Sequence, residues 1–415
     1  MPLWPNLSNV SADHSTHYLM LRILALTHTD ASESCTFVRT LTPLQELQRE
    51  GYIEYALVHA MPWNVATIRR TLSTVDEWDI IWMARPRHYF TLPILREARR
   101  LGKPVLIDLD DWLLDVPSEH GDADFFRTRP RRETIRTALR AADGITASTE
   151  VIAEYCKALG VDVHVLPNAV DCELFTKLPR GEEPLTIAFC GSPSHYEDVP
   201  LIAPALNQVL RDHLNDVRVV SVGCPIPGLQ GLAGYTHHEF VAATEYPRLL
   251  SDLRVDIGLA PLQDTYFNRA KSDVKYLEYA ATGAATIASS VAPYRTSIRE
   301  DRGVLVNENT QDAWSAAIFA LIAHRDLRQR VSANAYKWVR DERSIEATSN
   351  KWLTLFQGYA DDKMLYGAPG AIQLTPGLFE RALANIVIRE APYDIKQIYL
   401  KLLQGAISTA RRSLR

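Results

Sequence analysis

Two lysines and a glutamate at helical spacing are the strongest candidates for chemistry in this 415-residue chain. Lys271, Lys275 and Glu278 are separated by four and three residues, which predicts one shared face near the start of a helix at Asp273–Ala281. Two ammonium groups there could neutralise a diphosphate, and the carboxylate could accept hydrogen bonds from vicinal hydroxyls of a sugar. The alternative is a solvated helix face with ordinary Lys–Glu pairing.

A second candidate is an anion-binding turn after the predicted strand Leu185–Cys190. The sequence GSPSH follows this strand, and a helix is predicted for Val199–Leu210. A glycine lets a phosphate approach the backbone, and a helix N-terminus offers free amides and a partial positive charge. The turn lacks the GxGxxG fingerprint, and an ordinary surface histidine is the alternative for its last residue. The candidates for donor contacts in this turn are Gly191, Ser192 and His195.

Polar residues of the first half also follow predicted strands. Asp110 and Asp111 end the sequence DLDD and are candidates for a ligand acceptor, a base or a helix N-cap. Metal binding is the alternative, since clustered carboxylates suit a hard cation. Alternation along the strand, however, points neighbouring aspartates to opposite sides, and we expect no metal. Four further residues could meet an acceptor, with surface loop charges as the alternative: Ser32, Arg85, Arg87 and His88.

Strands and helices alternate along both halves of the sequence. Strands are predicted at 19–26, 53–59, 79–84, 104–109, 144–147 and 161–166, and then at 185–190, 217–222, 235–241, 255–262, 285–289 and 304–306. Such alternation calls for parallel sheets with helices on both faces. The fold class is therefore α/β, with two doubly wound domains in tandem. Ligands bind beyond the carboxyl ends of the strands in such sheets, and the cleft between two domains is a common site.

The composition of the connecting segments predicts the domain organisation. Residues 1–17 are polar and form a disordered leader, 18–175 form the first domain, and 176–184 form a linker rich in Pro, Gly and charge. Residues 185–343 form the second domain, with Asp312 as the cap of a helix near its end. Residues 344–415 form a crossing helix, expected at Ser344–Phe356, and a tail that packs back on the first domain. The basic amphipathic stretch Ile388–Arg415 could instead lie on an anionic membrane.

Bulk properties exclude several classes of protein. A net charge of −5 does not favour a nucleic-acid binder. No apolar run approaches the roughly 20 residues that span a bilayer, and the leader lacks the pattern of a signal peptide. The cysteines are odd in number and contain no CxxC pair, which favours a reducing compartment over a disulfide framework or a zinc site: Cys35, Cys156, Cys172, Cys190 and Cys224. We expect a cytoplasmic protein, with peripheral contact to the cytoplasmic membrane face as an option.

Several phrases, taken in order, resemble the GT-B glycosyltransferases, in particular nucleotide-sugar-dependent family 4. They are LPNAVDCELF, the FCG turn, VDIGLAPL, KSDVKYLEYAATGAATIAS and GVLVNENTQDAWSAAI. The phrases RPRHY and GKPVLIDLDDWLLDVP resemble a bacterial branch associated with surface polysaccharide and glycoprotein glycans. The resemblance covers about Leu19–Phe356 and implies two Rossmann-like domains. It also implies an acceptor on the first domain, a nucleotide-diphosphate sugar on the second, and no required metal or other cofactor.

The resemblance also assigns individual roles. Glu278 matches the second glutamate of the Glu-x7-Glu motif, which holds the nucleotide ribose in relatives, and Gly191 matches the glycine of the phosphate turn. Lys271 and Lys275 fit positions beside the diphosphate. The first motif glutamate falls at Ala270, so its sugar contact is missing or supplied elsewhere. The Arg and Lys that many relatives carry after the phosphate turn are also absent.

The implied reaction moves a sugar from a nucleotide-diphosphate donor to a glycan or lipid-linked acceptor. Because charge grows on the β-phosphate as the sugar leaves, catalysis mainly requires positive groups at that position. We expect Gly191, Lys271 and Lys275 to supply them. Retention of configuration, usual in family 4, would let the leaving phosphate take the acceptor proton. Inversion would need Asp110 or Asp111 as a base. The alternatives are a non-catalytic GT-B-like protein that binds a glycan or partner, and a sugar-nucleotide epimerase.

Overall fold

A computed structural model describes residues 20–59, 65–88, 91–178 and 184–366 of the chain. These residues form two sheets, each of six parallel strands, covered by helices on both faces. The α/β fold class with two doubly wound domains is therefore confirmed. The predicted leader, most of the predicted linker and the amphipathic stretch Ile388–Arg415 lie outside the described residues.

The first domain is built on a sheet with the order β2-β1-β3-β4-β5-β6. Its strands are β1 (Leu21–Thr27), β2 (Ile53–His59), β3 (Ile80–Ala84), β4 (Val105–Leu109), β5 (Gly144–Ala147) and β6 (Asp162–Val165). Its helices are α1 (Ser34–Thr36), α2 (Thr42–Arg49), α3 (Val65–Thr74), α4 (Thr91–Arg100), α5 (Ala123–Phe126), α6 (Arg129–Ala141) and α7 (Glu150–Cys156), with a π-helical turn at Phe37–Leu41. The strand order reverses between β1 and β3, and such a switch point is where open α/β sheets bind ligands.

The second domain repeats this design with the sheet order β12-β11-β10-β7-β8-β9. Its strands are β7 (Leu185–Gly191), β8 (Val217–Gly223), β9 (Tyr235–His238), β10 (Ile257–Ala260), β11 (Ala285–Ser289) and β12 (Val304–Val306). Its helices are α8 (Ala203–Asp212), α9 (Tyr246–Asp252), α10 (Tyr266–Arg269), α11 (Val274–Thr282), α12 (Ala292–Ser297), α13 (Gln311–Ala323) and α14 (Arg325–Glu342). The switch point lies between β7 and β10, next to the predicted phosphate turn and the predicted lysine-bearing helix.

Three local predictions in the second domain were wrong. The chain after β7 forms two 3-10 turns, Pro193–His195 and Val199–Leu201, and the α-helix begins only at Ala203. Pro200 and Pro204 lie in this stretch and lack amide donors for a continuous helix. Thr310, not Asp312, caps α13, because its side chain accepts a hydrogen bond from the Ala313 amide.

The third correction concerns the lysine-bearing helix. The helix α11 begins at Val274 and ends at Thr282. Its C-cap is Gly283, whose φ of +77° is a left-handed conformation that glycine adopts without strain. Lys275 and Glu278 are on this helix, but Lys271 precedes it in a loop. The predicted single helical face therefore holds for only two of the three residues.

A long last helix, α15 (Ile345–Tyr366), returns from the second domain to the first. The ring of Trp352 packs edge-on against Trp82 of β3 with centroids 5.1 Å apart. The centroid of the Phe356 ring lies 5.4 Å from that of Trp82. The chain passes between the domains twice at one place, where Val170 and Ser344 form a parallel bridge. Among the described residues, no helix is long and apolar enough to cross a membrane.

The joint between the domains is held by a partly buried arginine. Arg343 forms an ion pair with Asp273, the N-cap residue of α11, at 2.8 Å, and it donates to the Asn168 carbonyl at 2.7 Å. Three residues of the predicted first-domain segment LPNAVDCELF pack in the apolar core of the second domain: Val170, Cys172 and Phe175. The start of α11 is thus attached directly to the interdomain connection.

Candidate active site

A cavity of about 330 Å³ lies between the domains, where loops from both switch points meet. Its first-domain wall includes Glu33, Cys35, Arg85, Asp110, Asp111 and His120. Its second-domain wall includes Gly191, Ser192, His195, Lys271, Lys275 and Glu278. The structure therefore brings together every donor-side candidate, although they are distant in sequence. It also brings the two candidate aspartates to the opposite wall.

The two lysines approach the cavity from different elements. Lys275 is on the first turn of α11, where burial lowers the pKa of its ammonium group and the nearby carboxylate of Glu278 opposes that shift. Lys271 extends from the loop before the helix, with Nζ 5.1 Å from the centre of the Phe267 ring and 4.0 Å from Asp111 Oδ1. Two cations therefore share one side of the cavity, which is the arrangement that an anionic ligand requires.

Glu278 lies one turn beyond Lys275 in the same wall. Burial raises the pKa of its carboxyl to about 7, while Lys275 and a hydrogen bond with Tyr246 lower it. Near neutral pH this group therefore exists in both protonation states. A carboxylate here can accept hydrogen bonds from hydroxyls, and a carboxylic acid can donate one.

Gly191 ends β7 at the back of the cavity. Its φ is not in the left-handed region, so the need for glycine is steric and not conformational. A Cβ at this position would lie 2.8 Å from Phe189 Cζ and 3.3 Å from His195 Cδ2. The absent side chain therefore lets the following turn fold closely over the strand end.

His195 and Asp198 form a buried pair in this turn. Nδ1 of the imidazole lies 2.8 Å from Oδ2 of the carboxylate. Burial raises the pKa of Asp198 to about 6, and the amide of Gln263 lowers it by donating to Oδ1 at 2.8 Å. Burial lowers the pKa of His195 well below its ordinary value, and Lys275 and Lys271 act in the same direction. In the unliganded protein at neutral pH the ring is therefore neutral and the carboxylate is ionised.

On the opposite wall, Arg85 holds the two candidate aspartates. Its guanidinium lies 3.3 Å from Asp110 Oδ1 and 3.3 Å from Asp111 Oδ2. Burial raises the pKa of Asp110, and the charge of Arg85 opposes that rise. The backbone of Arg85 has a φ of 51°, a costly conformation for a side chain of this size that is often found at functional sites.

The first aspartate of DLDD has a structural role. Asp108, at the end of β4, is fully buried and forms an ion pair with Arg39, whose Nε lies 3.0 Å from Oδ2. Thr146 donates to the other carboxylate oxygen at 2.6 Å. Within the described ranges, no three His, Cys, Asp or Glu side chains are grouped as metal ligands.

Three of the four acceptor-side candidates do not line the cavity. His88 packs against the rings of His28 and Phe125 at 5.3 and 5.2 Å, and burial, with Arg131 and Arg87, lowers its pKa to about 4. Arg87 also lies over the Phe125 ring, at 5.8 Å.

Ser32, the third of these, contacts the other domain. Its carbonyl accepts a hydrogen bond of 2.7 Å from the amide of Ala243. Of the four acceptor-side candidates, Arg85 alone lies in the cavity wall.

Ala270, the position at which the resemblance places the first motif glutamate, faces the first domain. It is fully buried among apolar residues of that domain, and its carbonyl accepts a 3.0 Å hydrogen bond from Thr149. Nearby, the rings of Tyr266 and Tyr155 stack with centroids 4.2 Å apart. The loop before α11 therefore joins the two domains, and position 270 cannot contact a ligand in the cavity.

Sequence reasoning missed several residues of the cavity wall, of which His120 and Tyr246 are examples. His120 is absent from the candidates drawn from the sequence, but the ring of this residue packs 5.6 Å from the Phe267 ring of the second domain. Tyr246 begins α9, a helix that the pattern analysis did not predict. Neither carries a local signal, since each reaches the cavity only through the docking of the two domains.

Comparisons with known proteins agree with this architecture. Residues 203–354 match a family described as "Glycosyl transferase-like". HepE from Anabaena, solved with UDP and glucose, is similar with a TM-score of 0.61 and 13% identity, covering 81% of this chain and all of that chain. Sucrose-phosphate synthase from Thermosynechococcus elongatus is similar with a TM-score of 0.61 and 14% identity, covering 81% of this chain and 98% of that chain. No curated protein matches the sequence.

A structure named for UDP-N-acetylglucosamine 2-epimerase, from Listeria monocytogenes, is also similar, with a TM-score of 0.55, 11% identity and coverage of 83% and 98%. At such low identities the likeness concerns the fold, which glycosyltransferases and this epimerase share. The family match in the second domain favours the transferases. The chain is thus a GT-B-fold protein with a glycosyl transferase-like second domain, and glycosyltransferase is its enzyme class.

Proposed function

We propose that the protein transfers a sugar from a nucleotide-diphosphate sugar to a glycan or lipid-linked acceptor. The observation that carries the proposal is the composition of the interdomain cavity. Lys271, Lys275 and Glu278 face Asp110 and Asp111 across it. One ligand in the cavity can therefore reach three kinds of group. They are two lysines for a diphosphate, the Glu278 carboxylate for sugar hydroxyls, and the aspartate pair for an acceptor.

The proposed chemistry follows from where charge develops. As the bond from the sugar to the diphosphate breaks, the electron pair moves onto a β-phosphate oxygen. Lys271, Lys275 and the Gly191 amide stabilise that charge, and removing one such donor typically lowers the rate roughly 100–1000-fold. No metal ion takes part in this scheme. Because a sugar held between two domains is shielded from bulk water, transfer to the acceptor competes well with hydrolysis.

We further propose a retaining reaction in which the leaving phosphate accepts the proton of the acceptor hydroxyl. In an inverting reaction Asp110 or Asp111 would have to accept that proton. Both carboxylates are held by Arg85, and Asp111 also faces Lys271 at 4.0 Å. Asp111 has both carboxylate oxygens beside cations and Asp110 has one, so proton uptake by either aspartate would compete with an ion pair. This favours the retaining reaction, and NMR of the product anomer distinguishes the two outcomes.

The proposed setting is the synthesis of a bacterial surface polysaccharide or glycoprotein glycan on the cytoplasmic side of the membrane. This part of the proposal rests on the sequence phrases of the first domain and not on the cavity. Incubation with membrane-derived lipid-linked sugars, in parallel with soluble oligosaccharides, tests which acceptor class takes the sugar.

The direct experiment incubates purified protein with UDP-, GDP- and dTDP-sugars and measures release of the nucleoside diphosphate. We expect release from one nucleotide class, accelerated by an acceptor. If no nucleotide sugar binds or reacts, the proposal is wrong.

The competing function is a non-catalytic protein that binds a glycan or partner. One observation favours it: Ala270 is buried against the first domain and offers no sugar contact. Calorimetry separates the two functions, because a glycan-binding protein would bind oligosaccharide without binding any nucleotide sugar. Binding of a nucleotide sugar followed by turnover would exclude it.

A further inference from the structure

We infer that His195 is a proton-carrying ligand of the donor diphosphate and that Asp198 is its positioning residue. In this scheme a proton from solvent joins Nε2 of His195 when the nucleotide sugar binds. The resulting imidazolium donates a hydrogen bond to the diphosphate. The inference rests on the proposed function, and it assigns to this pair the positive charge of a turn, residues 191–198, that contains no Arg or Lys.

The geometry of His195 carries the inference. Its Nδ1 is engaged by Asp198 Oδ2 at 2.8 Å, and its side chain is nine-tenths buried. Because an ionised carboxylate only accepts hydrogen bonds, Nδ1 must carry the proton of the neutral ring. Nε2 is then the free base, and it has no hydrogen-bond partner among the described residues. Since His195 lines the cavity, that nitrogen is available to a ligand.

Asp198 is fixed in place from two sides, which sets the orientation of the imidazole. Its Oδ1 accepts the Gln263 amide at 2.8 Å and lies 3.4 Å from Asn268 Nδ2. Asn268 Nδ2 in turn lies 3.0 Å from the Gln263 carbonyl. The turn after β7 is thereby tied to the loop after β10, across the switch point of the sheet. A histidine held by such a carboxylate keeps one tautomer and one ring position.

The charges that face His195 explain why the proton arrives with the ligand. Lys271 and Lys275 approach from the loop and helix of the second domain, and His120 approaches from the first domain. Burial and these groups keep the imidazole neutral in the empty cavity, although Asp198 is adjacent. A bound diphosphate carries negative charge into the same space and offsets the two lysines. The protonated ring then becomes the favoured form.

The proton balance of this scheme is simple. One proton passes from solvent to Nε2 on donor binding, and no covalent bond changes in that step. When the sugar–oxygen bond breaks, the electron pair moves to the β-phosphate oxygen, and the imidazolium strengthens its hydrogen bond to that oxygen. The proton returns to solvent when the nucleoside diphosphate leaves. The group therefore acts as a switchable cation and not as a nucleophile.

The test is calorimetry at pH 7.5 in two buffers with different ionisation enthalpies. The probes are UDP-glucose, GDP-mannose and dTDP-glucose, since their diphosphates do not titrate near neutral pH. For the probe that binds, we expect uptake of about one proton per ligand by linkage. His195→Gln should abolish the uptake and weaken binding roughly 10–100-fold, as expected for loss of a charge-assisted hydrogen bond. His213→Gln, outside the cavity, should change neither.

Two further variants separate other causes. Glu278 also titrates near neutral pH. A bound ribose favours the carboxylate form of Glu278, so this residue would release a proton when the donor binds. Glu278→Gln removes that release and should therefore increase the net proton uptake. Asp198→Asn removes the carboxylate that stabilises the imidazolium, so the uptake should move to lower pH. Thermal melting confirms that each variant is folded.

The outcomes are distinct. If a nucleotide sugar binds and His195→Gln retains the proton uptake of the native protein, the inference is overturned while the proposed function stands. If none of the three probes binds, the proposed function fails, and the inference fails with it.

Discussion

Nζ of Lys271 lies 4.0 Å from Oδ1 of Asp111, so a donor-side cation and an acceptor-side carboxylate meet across the interdomain cavity. The two residues belong to different domains and are 160 positions apart in the sequence (271 minus 111). A nucleotide sugar bound by the lysine would therefore present its sugar close to the aspartates.

Replacing Lys271 by alanine should lower kcat roughly 100–1000-fold, because the variant loses a cation aimed at the leaving diphosphate. Release of nucleoside diphosphate measures the effect. The control is Lys337→Ala, an exposed lysine on α14 that pairs with Asp341. Full activity of Lys271→Ala would contradict the proposed diphosphate site.

Replacing Arg85 by glutamine should move the acidic limb of the pH–activity profile to higher pH. Arg85 opposes the rise in the pKa of Asp110 that burial causes, so its removal lets that pKa rise further. The carboxylate then becomes protonated at a higher pH than in the native protein. The measurement is kcat/KM from pH 5 to 9. The control is Arg87→Gln, which lies outside the cavity wall and should leave the acidic limb of the profile unchanged. If Arg85→Gln also left this limb unchanged, neither aspartate would need its charge for activity.

Replacing Arg39 by methionine should lower the free energy of unfolding by about 3–5 kcal/mol, because it leaves the buried carboxylate of Asp108 without its charge partner. Urea unfolding followed by tryptophan fluorescence measures the loss, since Trp352 lies beneath this guanidinium. Arg39→Met combined with Asp108→Leu should be more stable than Arg39→Met alone. If the loss of unfolding free energy in the double variant equalled the sum of the losses in the two single variants, Arg39 and Asp108 would not be energetically coupled.

Introducing the missing motif glutamate, Ala270→Glu, should not restore a sugar contact. Position 270 is fully buried against the first domain, so the carboxylate would be desolvated without a partner and would separate the two domains. We expect a lower melting temperature and lower activity. Thr149→Val is the milder control, because it removes the hydrogen bond to the Ala270 carbonyl and the N-cap hydrogen bond of α7 but buries no charge. Increased activity of Ala270→Glu would show that this loop leaves the interface during catalysis.

The sequence by itself determined the fold class and most of the strands. Runs such as VLIDL and ATIAS are buried on both faces of a parallel sheet, so their apolar pattern is continuous and easy to read. The grouping of the donor-side candidates in one cavity wall was also predictable, because they lie in the segments after strands of one domain and the switch-point rule groups them. Ends of elements were less certain, as at Val199–Leu210, where local hydrogen bonding decides between a 3-10 turn and an α-helix.

Only the tertiary structure decided which candidates belong to the cavity. Arg85 and Arg87 are two residues apart, yet the left-handed backbone of Arg85 turns one guanidinium toward Asp110 while the other packs on Phe125. Similarly, the buried pairing of Asp108 with Arg39 depends on elements 69 residues apart. A charge pattern in the sequence describes neighbours along the chain. The electrostatic field that sets a pKa or binds an anion is instead the sum of contributions from the charged groups of both domains. The arrangement across the cleft therefore became visible only once the two sheets were docked.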